Sequence, residues 1–281
     1  DGVAKAINGV SYTLDAGETL AVLGESGSGK SVTAQTIMGI LDMPPGFITG
    51  GQIRYRGRDL LQMPEKERQK IRGAEIAMIF QDSLSALNPV FTVGDQIAEM
   101  FQVHRGMSKK EGMKRAVELM EQVRIPAAKE RVKDYPHQFS GGMRQRIMIA
   151  MAISLDPAVL IADEPTTALD VTVQAQILDL MKQMQEEIGM SMMYITHDLG
   201  VVARVADRVA VMYAGQIVED GPTDELFTRP GSPYTEALLA AIPLIAWEIA
   251  AGQWFRPTLK GWLILAYVAI CPSLLSQLFY I

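Results

Sequence analysis

Residues 24–31 read Gly-Glu-Ser-Gly-Ser-Gly-Lys-Ser, and no other stretch narrows the fold of this chain as much. G-x-x-x-x-G-K-S is a phosphate-binding loop when it joins a strand to a helix. Both neighbours fit. Leu20-Ala21-Val22-Leu23 is a short apolar run suited to a buried strand. Residues 31–41 carry apolar side chains at helical spacing, so the loop opens onto a helix N-terminus, where free N–H groups and the dipole favour anions. Gly24, Gly27 and Gly29 let the backbone curl and turn its amides inward. Lys30 is placed to reach the β- and γ-phosphates of a nucleotide, and the Ser31 hydroxyl to ligate Mg²⁺.

The rest of the chain supports an α/β domain. With 281 residues, 48% of them hydrophobic, a sizeable core is available. A net charge of −6 argues against a nucleic-acid protein with a broadly basic surface. Lys109-Lys110 and Lys114-Arg115 are local basic clusters, read as a solvated helix face. Cys271 is the only cysteine, which excludes an internal disulfide, makes a cysteine-based metal site implausible and fits a reducing, cytoplasmic setting. Asp1 is followed by sequence that reads as mid-domain, so the reading expects a missing N-terminal beginning.

Strand signals fall at residues 11–14, 52–55 and 75–80, around the phosphate loop. Residues 82–156 turn helical, with methionines that suit core filling. Strand–helix alternation then resumes: an apolar run at 158–162, an amphipathic helix at 171–185, strands at 192–195 and 208–213, and a hairpin to 216–219. From about residue 244 the character changes again. Residues 262–281 hold no charged side chain and are long enough to span a bilayer, although Pro272 interrupts them. A helix packed on the domain and a tail that does not fold are the other readings.

Chemistry gathers at strand ends. Asp163 and Glu164 close the apolar run, where Asp163 is suited to Mg²⁺ and Glu164 to deprotonating a water in line with the γ-phosphate. Ser140-Gly141-Gly142 opens a helix and offers a hydroxyl and unobstructed amides, a second phosphate-binding edge. One chain cannot easily aim both edges at one γ-phosphate, but two chains facing head-to-tail can. His197 follows the strand ending at Thr196 and is placed for γ-phosphate contact. Gln81 ends the strand at 75–80 and is a candidate for touching Mg²⁺ or the attacking water.

Together these residues resemble the nucleotide-binding domain of ABC transporters over about residues 1–243. Residues 24–31 resemble Walker A, and Leu160-Ile161-Ala162-Asp163-Glu164 resembles Walker B with its catalytic glutamate. Phe139-Ser140-Gly141-Gly142-Met143 is similar to the signature loop, Gln81 to the Q-loop glutamine, Ala168-Leu169-Asp170 to the D-loop and His197 to the switch histidine. Ser83-Leu84-Ser85-Ala86-Leu87-Asn88-Pro89, the Tyr135-Pro136-His137-Gln138 lead-in to the signature, and Ser232-Pro233-Tyr234-Thr235 resemble the oligopeptide/dipeptide import ATPases, a group that includes nickel and glutathione importers. Phe139 and Met143 replace the commoner Leu and Gln of the signature, a variant that suits this group.

The resemblance implies a P-loop NTPase fold: a mostly parallel sheet, an antiparallel β part and a helical subdomain at about 82–156. It implies ATP and Mg²⁺ as ligands, with Asp170 joining Ser140-Gly141-Gly142 at the nucleotide. It implies a second ATPase subunit, identical or a sister, packed head-to-tail. Transmembrane permease subunits and, indirectly, an extracytoplasmic solute-binding protein would complete an importer whose ATPase lies peripherally on the cytoplasmic face of the inner membrane. The family's adenine-stacking aromatic falls upstream of residue 1, and Tyr12 is read as a sheet residue instead. Residues 244–281 look like a piece of a multi-spanning permease, foreign to the domain. Rival readings are a chromosome-organising ATPase, opposed by the short insertion without heptads, and a non-catalytic fragment.

Overall fold

The computed structural model describes residues 4–82, 86–167 and 169–240. Ser83-Leu84-Ser85, Ala168 and the apolar tail at 244–281 lie outside the described residues. Among the described residues no helix is long and apolar enough to cross a membrane.

The central element is β1 (Thr19–Leu23), every residue of which is buried. It lies between β6 (Ser191–Thr196) and β7 (Arg208–Tyr213), parallel to both. β5 (Val159–Asp163) follows outside β6, and β4 (Ile76–Ile79) outside β5, again parallel. β8 (Gln216–Pro222) returns antiparallel to β7, which completes the order β4-β5-β6-β1-β7-β8. The β7–β8 turn works because Ala214 and Gly215 both adopt positive φ, at 46° and 76°, the twist that a two-residue hairpin needs. The apolar runs that made these strands legible are apolar on both sides because helices cover both faces of a parallel sheet.

Helices fill the connections. α1 (Lys30–Met38) follows the phosphate loop and ends at Gly39 in the left-handed region. A two-stranded ribbon, β2 (Arg54–Tyr55) with β3 (Arg58–Asp59), precedes α2 (Glu65–Ile71). Then come α3 (Val93–Arg105), α4 (Lys109–Gln122), the short α5 (Ala128–Arg131) and α6 (Gly141–Ile153). α3 is capped by the Thr92 side chain, and α4 starts with a reciprocal Ser108–Glu111 capping box. α7 (Val171–Ile188), α8 (Leu199–Val205) and α9 (Thr223–Thr228) complete the described helices bounded here. The basic cluster on α4 is a solvated face, as its spacing suggests: Lys109 pairs with Asp95, and Lys114 and Arg115 with Glu118, all at the surface.

The largest apolar core runs from the inner faces of α3, α4, α6 and α7 onto β4, β5 and β6. Met120, Met148, Met181 and Met184 sit in it as fillers. One expectation fails. Residues 11–14 form no strand; Val10, Tyr12 and Leu14 instead pack as partly buried side chains on a second core beneath α1, and Tyr12 donates its hydroxyl to Met193 Sδ at 3.2 Å. The alternation there records which side chains face inward, and no ladder is needed to produce it.

Candidate active site

β1 delivers the phosphate loop to the middle of the sheet edge, where parallel strands end together. The loop lies hard against its neighbour. A Cβ on Gly24 would stand 2.2 Å from the Met212 carbonyl oxygen at the end of β7. Gly29, the N-cap of α1, has φ 103°, which side chains rarely adopt. The Ser28 backbone carbonyl accepts from Gly215 N at 3.0 Å, which ties the loop to the β7–β8 turn.

Lys30 is only 5% exposed. Its ammonium donates to the carbonyls of Gly24 at 2.7 Å and Glu25 at 2.8 Å, so it is folded across its own loop. Burial pushes its pKa down, while Glu164, Asp163 and Glu25 pull it back up. All three carboxylates thus act electrostatically on one cation at the loop. The buried Ser28 hydroxyl has no hydrogen-bond partner among the described residues. An orphaned donor and a cation over inward-turned amides fit a phosphate group.

Asp163 ends β5, is 4% exposed, and accepts from Ser31 Oγ at 3.0 Å across 132 residues of sequence. Burial pushes its carboxyl above the ordinary 3.8; the Ser31 bond and Lys30 oppose that rise. Among the described residues no cluster of three or more His, Cys, Asp or Glu side chains is arranged to hold a metal. A hydroxyl beside one carboxylate fits Mg²⁺, which keeps water and phosphate oxygens and takes few protein ligands.

Glu164 leaves the strand with φ 45°, a left-handed conformation that costs on the order of 1 kcal/mol. Its amide donates to Ile195 O at 2.9 Å and fixes that kink against β6. The carboxylate accepts from Gln81 Nε2 at 3.1 Å and Thr167 Oγ1 at 3.0 Å, both on Oε2. His197 Nδ1 stands 3.2 Å from Oε1. A carboxylate only accepts, so this contact assigns the proton to Nδ1. The register explains the convergence. Ile79 pairs with Ala162 and Asp163 with Ile195, so the residues just beyond β4, β5 and β6 arrive at one edge.

Ser140 and its glycines stand apart from this cluster. Ser140 is the exposed N-cap of α6 and accepts from Met143 N at 3.4 Å. Among the described residues no hydrogen bond or ion pair joins 140–142 to Lys30, Asp163 or Glu164. Asp170 caps α7, accepting from Val173 N at 2.9 Å. A Cβ on Gly142 would meet Val173 Cγ1 at 2.7 Å, so the start of α6 packs on the first turn of α7. The structure thus gathers Lys30, Ser31, Gln81, Asp163, Glu164 and His197, while the hydrogen bonds of Ser140 and Asp170 given above are helix caps and none joins them to that cluster.

Two contributors were not among the sequence candidates. Thr167 lies three residues beyond Glu164, across the turn that Pro165 makes; a hydroxyl at that spacing was the available signal. The Met212 carbonyl, which forces glycine at position 24, carries no sequence signal.

Residues 7–167 match the ABC transporter family. The chain is 59% identical over 244 residues to the oligopeptide transport ATP-binding protein OppD of Bacillus subtilis (strain 168), covering 87% of this chain and 68% of that one. It is 56% identical over 245 residues to the dipeptide transport ATP-binding protein DppD of Lactococcus lactis subsp. cremoris (strain MG1363), covering 87% and 70%. Its fold matches the dimeric ATP-binding cassette MJ0796 in a post-hydrolysis state bound to ADP and Pi, with TM-score 0.68 and 29% identity over 78% of this chain and 90% of that one. With a family match over more than half of the chain and relatives above 50% identity, the chain belongs to the ABC transporter family.

Proposed function

We propose that this chain is the ATP-binding and ATP-hydrolysing subunit of an ABC importer for di- or oligopeptides. The observation that carries the chemistry is the set of contacts on Glu164: Gln81, Thr167 and His197 within 3.2 Å of its carboxylate, on the edge that holds Lys30 and Asp163. The peptide assignment is supported by what the relatives are called.

Lys30 and the loop amides hold the triphosphate. Ser31 and Asp163 would hold Mg²⁺, which when bound draws negative charge from the phosphate oxygens. Glu164 takes a proton from the attacking water as its oxygen bonds to the γ-phosphorus and the bridge to the β-phosphate breaks. Gln81 and His197 orient that water and the γ-phosphate. Ser140-Gly141-Gly142, with Asp170 behind it, faces a nucleotide on a second ATPase subunit. That no hydrogen bond or ion pair joins it to Lys30 among the described residues supports this reading, and so does the dimeric cassette of similar fold.

In this reading residues 1–243 form the nucleotide-binding domain, with 82–156 as its helical subdomain. The domain sits peripherally on the cytoplasmic face of the membrane against permease subunits, with contacts near Gln81 and residues 83–89. Lys30→Ala tests the core of the reading. Titration with a fluorescent ATP analogue is expected to show binding lost; unchanged affinity overturns the phosphate-loop role. Peptide-stimulated hydrolysis in vesicles carrying the permease subunits tests the cargo, and stimulation by nickel or glutathione alone overturns it.

A further inference from the structure

Phe139 and Met143 flank Ser140-Gly141-Gly142, and one side chain touches both. The Arg131 guanidinium carbon lies 4.0 Å from the centroid of the Phe139 ring. Its Nη1 is 3.3 Å from Met143 Sδ, its Nη2 donates to the Gln138 carbonyl at 3.0 Å, and its Nε donates to Asp134 Oδ2 at 3.1 Å. Every nitrogen of the plate is engaged, and the plate's face covers an aromatic ring. Arg144 adds a second strap, donating from Nη1 to the Phe139 carbonyl at 2.6 Å.

Between these straps the segment is held by backbone, through Arg144 N on the Ser140 carbonyl at 2.9 Å, and by the close packing of Gly142 on Val173. Gly141 and Gly142 have no side chains to pack, and the Ser140 cap bond is long at 3.4 Å. Arg131 itself is well anchored. The backbone just beyond it accepts from the start of α3, at Val132 O from Gly94 N and at Asp134 O from Val93 N, both 2.9 Å. A leucine in place of Phe139 would offer the guanidinium no π face.

We propose that Arg131 is a positioning residue for the Ser140-Gly141-Gly142 edge, and that Phe139 and Met143 are the matched surfaces it grips. The inference rests on the reading of that edge as one that meets a nucleotide held by a second subunit. The two unusual ends of the loop then have a single cause: both bind one cation.

Amide hydrogen exchange and ATP hydrolysis on the full chain test this. In Arg131→Gln, the hydrogen-bonded amides of Phe139 and Met143 should exchange at least tenfold faster while those of the phosphate loop and β5 do not change. Turnover should fall about tenfold with nucleotide affinity within twofold of wild type. Arg131→Lys should not rescue, since an ammonium has neither the planar face nor the fork. Phe139→Leu should give a smaller acceleration that adds little to Arg131→Gln, as coupled partners do. Wild-type exchange in Arg131→Gln, or full rescue by lysine, overturns the proposal. Should Arg131→Gln fail to fold, Phe139→Leu decides alone, and unchanged exchange of the amides at positions 139 and 143 overturns it. Ser140→Ala separates the two levels: wild-type hydrolysis in that variant removes the edge's role, while the exchange data still judge the grip of Arg131.

Discussion

Ser31 and Asp163 share a 3.0 Å hydrogen bond that joins the first turn of α1 to the end of β5. It places a hard oxygen pair directly below the phosphate loop. It also leaves an almost fully buried carboxylate with few donors, and that imbalance has a measurable consequence.

Burial raises the Asp163 pKa, so the folded state takes up a proton more readily than the unfolded chain does. Stability from this group is therefore greatest below the ordinary value of 3.8 and is lost as pH rises through the raised value. Asp163→Asn, which keeps an acceptor for Ser31, should raise the Tm of the nucleotide-free chain at pH 7 by about 2–4 °C, on the order of 1 kcal/mol. The gain should shrink as the pH approaches the carboxylate range, and hydrolysis should vanish. Scanning calorimetry at pH 7 and pH 5 checks this; a lower Tm for the variant at pH 7 contradicts it.

Glu164→Gln removes the proton acceptor and keeps the shape of the side chain. Turnover should fall by about 10²-fold or more, with ATP binding retained. Steady-state hydrolysis alongside an equilibrium titration separates the two effects. Turnover at the wild-type rate would take Glu164 out of the chemistry.

Gly24→Ala drives a methyl group into the Met212 carbonyl, where the backbone of β7 cannot yield cheaply. A cost of roughly 1–3 kcal/mol is expected, together with loss of nucleotide affinity as the loop is pushed off the strand. Chemical denaturation and the same titration measure both, and a variant as stable as wild type refutes the close approach.

Gln96 is 6% exposed and grips the loop before α3: it accepts from Asn88 N at 2.9 Å and donates to the carbonyls of Asn88 at 2.9 Å and Phe91 at 3.1 Å. That loop presents Val90 and Phe91 to solvent. Gln96→Leu strands three backbone groups and should cost about 2 kcal/mol or more. Urea midpoints report the loss. Peptide-stimulated hydrolysis with permease subunits should fall more than hydrolysis by the chain alone, and equal losses would mean the loop does not transmit contact.

The local parts of the site were legible because each needs only its neighbours. The octet at 24–31, the apolar run ending in Asp163 and Glu164, and the serine-glycine start of α6 are each a strand end or a helix start. Such signals depend on backbone geometry within a few residues. Tyr12 shows where that reasoning fails, since alternation reported burial on a core and not a strand partner.

Composition, period and motif by themselves determined an α/β domain with a phosphate loop, the candidate residues on it and the order in which they occur. Only the tertiary structure decided which of them meet. β4, β5 and β6 lie side by side, so Gln81, Glu164 and His197 become neighbours through long parallel crossovers that no short window records, and β1, out of chain order beyond β6, brings the phosphate loop to the same edge. Contacts made by packing between distant segments depend on register, and register is fixed only when the core closes.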